Sequence, residues 1–325
     1  MDSSVTVIIF VKNKQDTIEK CVRSVIDNNS NKKIIVVDNF STDNSLEILK
    51  KFSPAVRLLR MKGGLSEMAN KVIMEVDTEY IAFTDADCVV SKNWLKELIL
   101  PFAGNKDVVA TAGYCGTPKD VGFLQKIIGL ELENRFKNFP QYIERAPTMN
   151  LCVKTDAIQK IKFDEIFSYQ AWETDFGYRL TKLGKIYYTP RAIVDHYHRS
   201  TLKSFFVQQK NQAKWGVKLF FKHGKKSLGD SITTPLMVVQ IPFLFFALLF
   251  LLLSWMDMLF FPFSVLLFLV LFTIYFKNIK EIKPSGIEYL PFFGLFIFRN
   301  VSWLVGVAEG FFQFFGDIKK FIFSR

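Results

Sequence analysis

The sequence predicts an α/β domain with a mixed, mostly parallel sheet, followed by an α-helical membrane domain. In residues 1–199, short β-branched and apolar runs alternate with amphipathic helical segments, which is the pattern of β-α-β units joined by right-handed crossovers. After residue 232, three long stretches are almost entirely apolar, as expected for helices that cross a bilayer. We therefore divide the chain into an α/β domain at 1–199, a basic and aromatic interface segment at 200–232, and a membrane domain at 233–325.

The predicted strands are short apolar runs, and the first ones end at polar or acidic residues. The runs at 5–11 and 33–38 are apolar nearly throughout, as expected for strands buried on both faces. Amphipathic helical segments separate the strands of this first half. Further strands are predicted at 56–61, 80–84, 108–114, 149–154, 186–190 and 192–196, and helices at 16–28, 46–52, 66–75, 122–139 and 173–183, with one more beginning near Asn93.

Two carboxylates one residue apart, Asp85 and Asp87, follow the predicted strand at 80–84. In an open α/β sheet, ligands bind just beyond the carboxyl ends of the strands. Mg²⁺ or Mn²⁺ is typically held there by one or two carboxylates together with the phosphates of the substrate. The pair therefore predicts a metal and phosphate site, and capping of the helix near Asn93 is the alternative.

The composition limits the class of protein. The net charge of +11 is typical of nucleic-acid binding or of contact with anionic lipids, and the clustering of lysines beside the apolar stretches favours membrane lipid, with no nucleic acid. The four cysteines are scattered without a C-x-x-C pair, which argues against a zinc site or a disulfide framework. The first residues do not form a signal peptide, so we expect the α/β domain in the cytoplasm.

Residues 196–229, which include most of the interface segment, contain no acidic residue. Lys210, Lys214, Lys218 and Lys222 recur at every fourth position, which on a helix forms one basic stripe. Aromatic residues interleave with these lysines, as in helices that lie in a membrane interface. An ordinary solvated face packed over a core stripe is the alternative.

Two apolar stretches predict a membrane-spanning hairpin. Residues 235–253 and 259–276 contain no charged residue, and each has about the length that a spanning helix needs. Lysine-rich segments flank the hairpin on both sides, so the positive-inside rule places these flanks in the cytoplasm. A third stretch, 289–313, contains Arg299. Either it spans with Arg299 facing protein or a lipid phosphate, or part of it is interfacial, and we favour a span.

Several motifs in residues 5–215 occur in the order found in family 2 glycosyltransferases, which the chain resembles. They are VTVIIFVKN (5–13), VVDNFSTD (36–43), MANK (68–71), DAD (85–87) and WETDFGYRL (172–180). The resemblance implies the GT-A fold and inverting transfer from a nucleotide-diphosphate sugar. Phe10, Lys12, Asn39 and Phe40 depart from the family pattern. The C-terminal anchor resembles that of dolichyl- and polyprenyl-phosphate-dependent members, and a reduced cellulose-synthase-like architecture.

The resemblance implies a donor site at the ends of the first strands. Asn13 and Asn70 match asparagines of the family, and Asp38 stands where the nucleobase is held. Asp85 and Asp87 match the D-x-D motif, whose Mn²⁺ or Mg²⁺ bridges the diphosphate of the donor. Mannose, glucose and their N-acetyl relatives are the candidate sugars, and GDP and UDP are the candidate carriers.

The resemblance also assigns a catalytic base. In WETDFGYRL, Glu173 stands where the family carries its base, an aspartate, and Asp175 aligns with the last acid of the motif. An acceptor hydroxyl must lose its proton as it attacks the anomeric carbon, whereas an ionised phosphate acceptor needs a base much less. We expect Glu173 to be the base and Asp175 a second catalytic candidate. The alternatives are a first-turn acid at the helix dipole for Glu173 and a partner of Arg179 for Asp175.

Other residues match family positions further along the chain. His198, in preference to His196, is the expected histidine ligand of the metal or diphosphate, with a buried neutral histidine as the alternative. Asn150 is a candidate contact of the donor sugar or acceptor, or an ordinary turn residue. Lys214 and Trp215 stand where processive synthases carry arginine and tryptophan, and we assign them to the donor, although Trp215 also suits a membrane-interface anchor. Because lysine lacks the bidentate fork of arginine, the replacement argues against polymer synthesis.

These features together predict an integral membrane protein with a cytoplasmic catalytic domain. The expected function is metal-dependent, inverting transfer of a sugar to a polyprenyl- or dolichyl-linked acceptor, as in glycan biosynthesis and N-glycosylation. The accepting group is either the lipid phosphate or a hydroxyl of a glycan on the lipid. The alternatives are a processive polysaccharide synthase and, in a different class, a non-catalytic membrane scaffold with the same fold.

Overall fold

The computed structural model describes residues 4–28, 32–284 and 288–316 and divides the chain into two compact units. The first consists of Met1–Val121 and Arg135–His198, and the second of Gly122–Asn134 and Arg199–Arg325. The division after His198 falls next to the predicted boundary at residue 199, but residues 122–134 group with the later part of the chain. The last residues of the predicted membrane domain, 317–325, lie outside the described residues.

The first unit is built on one nine-stranded sheet. Its order is β3-β2-β1-β4-β8-β6-β9-β5, and β7 also pairs with β9. Strands β1, β2, β3, β4, β6 and β9 run in one direction, whereas β5, β7 and β8 run in the other. The predicted mixed, mostly parallel sheet is therefore confirmed. The strands are β1 (Val5–Val11), β2 (Lys32–Asp38), β3 (Arg57–Arg60), β4 (Tyr80–Asp85), β5 (Cys88–Val90), β6 (Val108–Gly116), β7 (Tyr142–Ile143), β8 (Leu151–Lys154) and β9 (Lys185–His196).

Helices connect these strands and cover the sheet. Apolar side chains of α1, among them Ile18, Val22 and Val25, are completely buried, so the amphipathic pattern of the sequence corresponds to the packed face. These helices are α1 (Ile18–Ile26), α2 (Ser45–Lys50), α3 (Leu65–Ile73), α4 (Trp94–Gly104), α6 (Thr155–Ile161) and α7 (Trp172–Leu180). Helix α5 (Phe123–Lys137) lies mostly in the second unit.

Strand β9 differs from the two strands predicted at 186–190 and 192–196. It is one continuous strand whose parallel pairing with β6 skips residues 190–192, because Thr189 pairs with Gly113 and Ile193 with Tyr114. Pro190 lies in this bulge, where its lack of a backbone N–H costs no ladder hydrogen bond. The short elements β5, β7 and α6 were not predicted, and residues 148–150 form a 3₁₀ turn before β8 instead of belonging to it.

Gly113 is required by the close approach of two chain segments at the bulge. A Cβ atom there would overlap the carbonyl oxygen of Ala192 and the side-chain amide of Asn150. We expect Gly113→Ala to lower the free energy of unfolding by about 1–3 kcal/mol, the usual cost of overpacking. Thermal unfolding in detergent would measure this. Gly104→Ala is the matched control, since nothing lies within 4 Å of that Cβ position, and an equal loss in both variants would contradict the assignment.

The second unit contains three helices that are long and apolar enough to cross a membrane. Helix α9 (Pro235–Leu253) has the predicted bounds, α10 (Phe261–Ile282) extends past the predicted end at residue 276, and α11 (Tyr289–Gln313) again has the predicted bounds. The hydroxyl of Ser264 donates to the carbonyl of Ala247 over 2.8 Å, which joins α9 and α10. A long basic helix, α8 (Leu202–His223), precedes them.

A buried arginine, Arg299, lies in the first half of α11. Arg299 is 3% exposed, and its Nη1 atom donates to Oε1 of Glu131 over 2.8 Å. The guanidinium also lies 4.9 Å from the ring centres of both Phe296 and Trp303, which is a cation–π distance. Arg299 therefore faces protein, which was one of the alternatives left open by the sequence.

Candidate active site

The two carboxylates of the D-x-D motif lie at the carboxyl edge of the sheet, as predicted. Asp85 is the last residue of β4, which pairs in parallel with β1. The turn after it is fixed from α1, because the hydroxyl of Thr17 donates to the carbonyl of Ala86 over 2.9 Å and the thiol of Cys21 to the carbonyl of Asp85 over 3.3 Å. The hydrogen bonds from Thr17 and Cys21 therefore fix the backbone from which both carboxylates project.

Asp87 contacts two cationic groups. Its Oδ2 atom lies 2.6 Å from Nζ of Lys14, and its Oδ1 atom lies 3.4 Å from Nε2 of His196. Burial alone would raise the pKa of Asp87, but His196 and Lys14 hold it well below its usual range. Burial likewise opposes the charge on His196, but Asp87 raises the pKa of that imidazole to about 10. Asp87 is thus a carboxylate that attracts cations strongly.

The pKa of Asp85 is shifted in the opposite direction from that of Asp87. Burial and the neighbouring carboxylates of Asp87 and Glu173 raise the pKa of Asp85 to about 7, although His196 and Lys14 act against this shift. Three acidic groups therefore share a region of concentrated negative charge. Carboxylate oxygens are the donors that Mn²⁺ and Mg²⁺ prefer, so Asp85 and Asp87 fit a divalent ion.

Glu173 lies in the first turn of α7 and faces the loop before β8. Its Oε2 atom accepts hydrogen bonds from the backbone N–H of Thr148 over 3.0 Å and from the hydroxyl of Thr148 over 3.1 Å. The residue before the helix, Ala171, has a positive φ of 64°, which is an uncommon conformation for a residue with a side chain. The chain thus turns sharply into α7, and the two bonds to Thr148 fix the carboxylate of Glu173.

The carboxylate of Asp175 is paired with Arg179, and its catalytic role stays a prediction. Its carboxylate is completely buried, and Oδ2 accepts from Nε of Arg179 over 2.8 Å. The same guanidinium donates to the carbonyls of Ile161 and Lys162. The alternative role as a partner of Arg179 is confirmed, and the physical reason is that consecutive turns of a helix place residues four apart side by side.

Asp38 and Asn13 organise the neighbouring strand ends. Asp38 is completely buried and accepts from the backbone N–H of Ser41 and from Nε of Arg60. Oδ1 of Asn13 accepts from the backbone N–H of Thr42 over 2.8 Å. Both side chains therefore join the turns that follow β1 and β2, and their contact with a nucleobase stays a prediction.

An aromatic and a cationic side chain beside Asp38 were not assigned from the sequence. Phe40 is 46% exposed and has a φ of 50°, and the guanidinium of Arg60 lies 4.5 Å from the centre of its ring. An exposed ring at the carboxyl edge of the sheet offers a flat surface for a base. The departure of Phe40 from the family pattern was the available signal.

Two asparagines assigned to the substrates have structural partners. The side chain of Asn70 bonds to both the N–H and the carbonyl of Phe163, so it anchors that loop to α3. Asn150 is buried, accepts from the indole of Trp94 over 2.8 Å, and donates to the carbonyls of Tyr114 and Ala192. Both residues therefore position backbone, and their contact with a substrate stays a prediction.

The histidines and the residues of α8 complete the predicted set. The contact with Asp87 belongs to His196, whereas His198 is 8% exposed, and burial together with the charge of His196 lowers the pKa of His198 to about 3. The metal role of His198 stays a prediction. Lys214 and Trp215 lie in the second unit, where Nζ of Lys214 is 3.9 Å from Oε2 of Glu309. Their contact with the donor also stays a prediction.

A family profile covers the sheet and the D-x-D motif. The profile described as "Glycosyl transferase family 2" matches residues 6–167. The match covers just under half of the chain, so residues 6–167 are similar to family 2 glycosyltransferases, and they are called the glycosyltransferase domain below. Within the match, the glycosyltransferase domain contains Asp38, Asp85 and Asp87, whereas Glu173 and His196 lie just beyond it.

Two curated relatives are similar to part of the glycosyltransferase domain. SPbeta prophage-derived glycosyltransferase SunS of Bacillus subtilis (strain 168) is 37% identical over 91 residues, which are 27% of this chain and 21% of the relative. Glycosyltransferase AglE of Haloferax volcanii is 32% identical over 108 residues, 31% of this chain and 36% of the relative. The matched segment thus spans between a fifth and little more than a third of these proteins.

A solved structure extends the likeness to the helices after the glycosyltransferase domain. The mannosyltransferase PcManGT from Pyrobaculum calidifontis, in complex with GDP-Man and Mn²⁺, aligns with a TM-score of 0.61, covering 96% of this chain and 88% of its own. The sequence identity is 12%, so the likeness concerns the fold. The predicted GT-A-like domain followed by a helical region is confirmed.

Proposed function

We propose that the protein is a metal-dependent inverting glycosyltransferase that moves a sugar from a nucleotide-diphosphate donor to a polyprenyl- or dolichyl-phosphate-linked acceptor at the cytoplasmic membrane face. One observation carries the proposal. Asp85 and Asp87, suited to a divalent ion, lie at the carboxyl edge of the sheet within the segment that matches family 2 glycosyltransferases. The family 2 domain supports nucleotide-sugar-dependent transfer, and the apolar helices support an acceptor that resides in the membrane.

The residues divide the reaction into two tasks. A divalent ion at Asp85 and Asp87 supplies charge neutralisation for the diphosphate leaving group when bound. Lys14, 2.6 Å from Asp87, adds a positive charge on the same side. Glu173, fixed by its bonds to Thr148, accepts the proton of an attacking hydroxyl, so that attack proceeds opposite the nucleotide and inverts the anomeric centre.

The donor assignment rests on the strand ends beside Asp38. Phe40 is half-exposed and offers its ring to the base, and the guanidinium of Arg60 lies 4.5 Å from the centre of that ring. A panel of GDP and UDP sugars with Mn²⁺, screened by thermal unfolding of the purified protein, would identify the donor, because a ligand stabilises the folded state in proportion to the logarithm of its concentration over its dissociation constant.

The transfer itself is tested with membranes, the selected labelled donor and Mn²⁺. We expect label in a chloroform-soluble product of defined size, formed only by membranes that contain the protein, and lost on chelation of the metal. A product that lengthens into a polymer would favour the processive alternative. Donor binding with neither transfer nor donor hydrolysis would favour the non-catalytic scaffold.

The sequence favoured α11 as a third span, but for the membrane topology we propose two spans, α9 and α10, with α11 lying beside α8 at the interface. The tip of the hairpin is the exposed part, since Trp255 is 87% and Met256 85% exposed. Helix α11 contacts the hairpin away from this tip, through Asn300 bonded to Gln240 and Tyr275. Gln240 is the sixth residue of α9, so the contact supports a position of α11 beside the first part of that helix.

The second half of α11 packs along α8. Gly306 and Gly310 lie directly against the backbone of α8 at Lys210 and Lys214, and Nζ of Lys210 is 2.6 Å from Oε1 of Glu309. Helix α8 carries the basic stripe and does not qualify as a span, so α11 lies at the same depth as its partner. This arrangement accounts for a greater buried share of α11, 44% against 22% and 17% for α9 and α10.

A topology with two spans and a topology with three spans place the C-terminus on different sides of the membrane. We expect a reporter fused after residue 325 to lie on the same side as one fused before residue 1, because two spans return the chain to the cytoplasm. A reporter inserted at Asp257, in the hairpin tip, should lie on the other side and serves as the control. A C-terminal reporter on the side of the Asp257 reporter would show that α11 spans.

A further inference from the structure

A groove between α4 and β9 has no part in the proposed transfer. One of its walls is the last part of α4, and the other is β7 together with the first part of β9. The whole groove belongs to the first unit. Its volume of about 580 Å³ lies within the usual range for a small-molecule site. It is called the α4/β9 groove below.

The α4/β9 groove lies away from the carboxyl edge of the sheet. Tyr187, which lines the groove, pairs with Thr111 of β6. Asp195, the neighbour of His196, pairs with Gly116 of the same strand. Five residues of β6 separate these two positions, which is roughly 16 Å at the rise of an extended strand. A ligand in the groove is therefore separate from a donor at the D-x-D motif.

The α4 wall offers hydrogen-bond acceptors. Glu97, Pro101 and Gly104 line the groove, and their spacing of four and three residues places them on one face of the helix. Pro101 lies inside α4 and has no backbone N–H, so it donates no bond to the carbonyl of Glu97. The last carbonyls of a helix also lack partners within it, and this end carries a partial negative charge. The wall therefore favours hydroxyl donors over anions.

The opposite wall carries two tyrosine rings. The rings of Tyr142 and Tyr187 meet edge to face with their centres 5.8 Å apart. Nδ2 of Asn105 lies 3.4 Å from the hydroxyl of Tyr142, and Nε2 of Gln141 lies 3.3 Å from that of Tyr187. Nζ of Lys185 lies 5.2 Å from the ring centre of Tyr142, yet this side chain is still 39% exposed. The rings are therefore fixed in place and accessible from the groove.

One cation and one anion also line the α4/β9 groove. They are Arg191 and Glu97. In the part of the chain that the structure describes, the guanidinium of Arg191 has no ion pair or hydrogen bond, and neither does the carboxylate of Glu97. Both groups are therefore available to a ligand that donates and accepts hydrogen bonds.

We propose that the α4/β9 groove binds a neutral hexose unit of a glycan, as a second carbohydrate site apart from the donor site. Hydroxyl groups of the sugar donate to Glu97 and to the carbonyls at the end of α4, and accept from Arg191. The apolar C–H face of the sugar packs on the tyrosine rings. A phosphate or an acidic sugar would meet the carboxylate of Glu97 and the negative end of α4. The natural ligand is the glycan of the acceptor, an assignment that rests on the proposed function.

Saturation-transfer NMR tests the binding on the purified full-length protein in a detergent without a sugar headgroup. The probes are four neutral disaccharides: cellobiose, maltose, mannobiose and N,N′-diacetylchitobiose. At least one should receive magnetisation from the protein. The signal should persist in the presence of saturating GDP or UDP with Mn²⁺, and in Asp87→Ala, because the groove is separate from the donor site. Absence of a signal from the whole panel, or its loss to nucleotide, would overturn the proposal.

Substitutions on the wall opposite α4 locate the site. Arg191→Ala should weaken binding of the selected disaccharide by about tenfold or more, because hydrogen bonds to charged groups are strong. Arg57→Ala is the matched control, since Arg57 is a half-exposed arginine that pairs with Glu75 elsewhere on the same unit. Unchanged affinity in Arg191→Ala, or an equal loss in Arg57→Ala, would contradict the assignment.

The contribution of the aromatic wall is measured separately. Tyr142→Ala should weaken binding severalfold, whereas Tyr142→Phe, which keeps the ring, should retain most of it. Tyr169→Ala removes a tyrosine that is 51% exposed and lies outside the groove, and it should bind as the unmodified protein does. Equal affinities of the Tyr142→Ala and Tyr142→Phe variants would contradict packing of the sugar on the ring.

This proposal and the proposed function fail in different ways. Disaccharide binding at the groove without transfer of label to a lipid product would contradict the proposed function and retain the groove as a carbohydrate site. Transfer of label by a protein that binds none of the four disaccharides would retain the proposed function and overturn the groove assignment.

Discussion

Asp87→Ala is expected to reduce transfer by about a thousand-fold or more, because it removes a ligand of the divalent ion together with the partner of two cations. Without the carboxylate, Lys14 and His196 lose the group that lies 2.6 and 3.4 Å from them. The initial rate of label transfer from the selected donor measures the effect. The rise in unfolding temperature caused by donor and Mn²⁺ should disappear in the same variant.

Asp77→Ala is the matched control for this experiment. Asp77 is also an aspartate of the first unit, paired with Lys33 at 2.6 Å, but its side chain is 74% exposed. Exposed pairs of this kind contribute little to stability, so the control should keep nearly full activity. If Asp87→Ala retained more than about a tenth of the rate, the metal assignment would have to be abandoned.

Glu173→Gln is expected to lower kcat by about a hundred-fold to ten-thousand-fold if the acceptor is a hydroxyl, which is the usual contribution of a general base. Glutamine can still accept from Thr148, whose N–H and hydroxyl lie 3.0 and 3.1 Å from Oε2 of Glu173. The fold and the KM for the donor should therefore change little. Steady-state kinetics with varied donor would separate the two parameters.

The size of this loss also identifies the accepting group. A lipid phosphate is ionised already, so a loss below about tenfold would indicate transfer to phosphate, with Glu173 as an electrostatic residue beside Asp85. Glu75→Gln is the control, since Glu75 is a half-exposed acid paired with Arg57 on the surface of the same unit. An equal loss of kcat in the control variant would contradict the assignment of Glu173 as the base.

The elements that the sequence predicted correctly are those with a strong hydrophobic pattern. Strands β1 and β4 are mostly apolar runs, and α9 is an uncharged stretch between Asp230 and Asp257, so their positions followed from composition. The short β5 and β7 have two or three residues, too few for a period to be visible. The continuity of β9 depends on its pairing with β6, which skips Pro190, and no local pattern shows that.

For the site, the sequence located the acids at strand ends but not their partners. Asp85 and Asp87 were predictable because the motif follows a buried strand. The contact of Asp87 with Lys14 joins residues 73 positions apart, and Asn150 bonds to Ala192 across 42 positions. Such contacts are set by tertiary packing.

The packing of α11 against α8 has a consequence for biosynthesis. The two helices run in the same direction, with contacts from Phe205 and Phe298 at one end to Trp215 and Phe314 at the other, yet the whole hairpin separates them in sequence. While the ribosome is still making the hairpin, α8 can pack on α5 through Phe205 and Ile127, but its contacts with α11 are not yet available. The second unit therefore closes only after α11 has emerged, so translation of the hairpin and completion of this unit are separate steps.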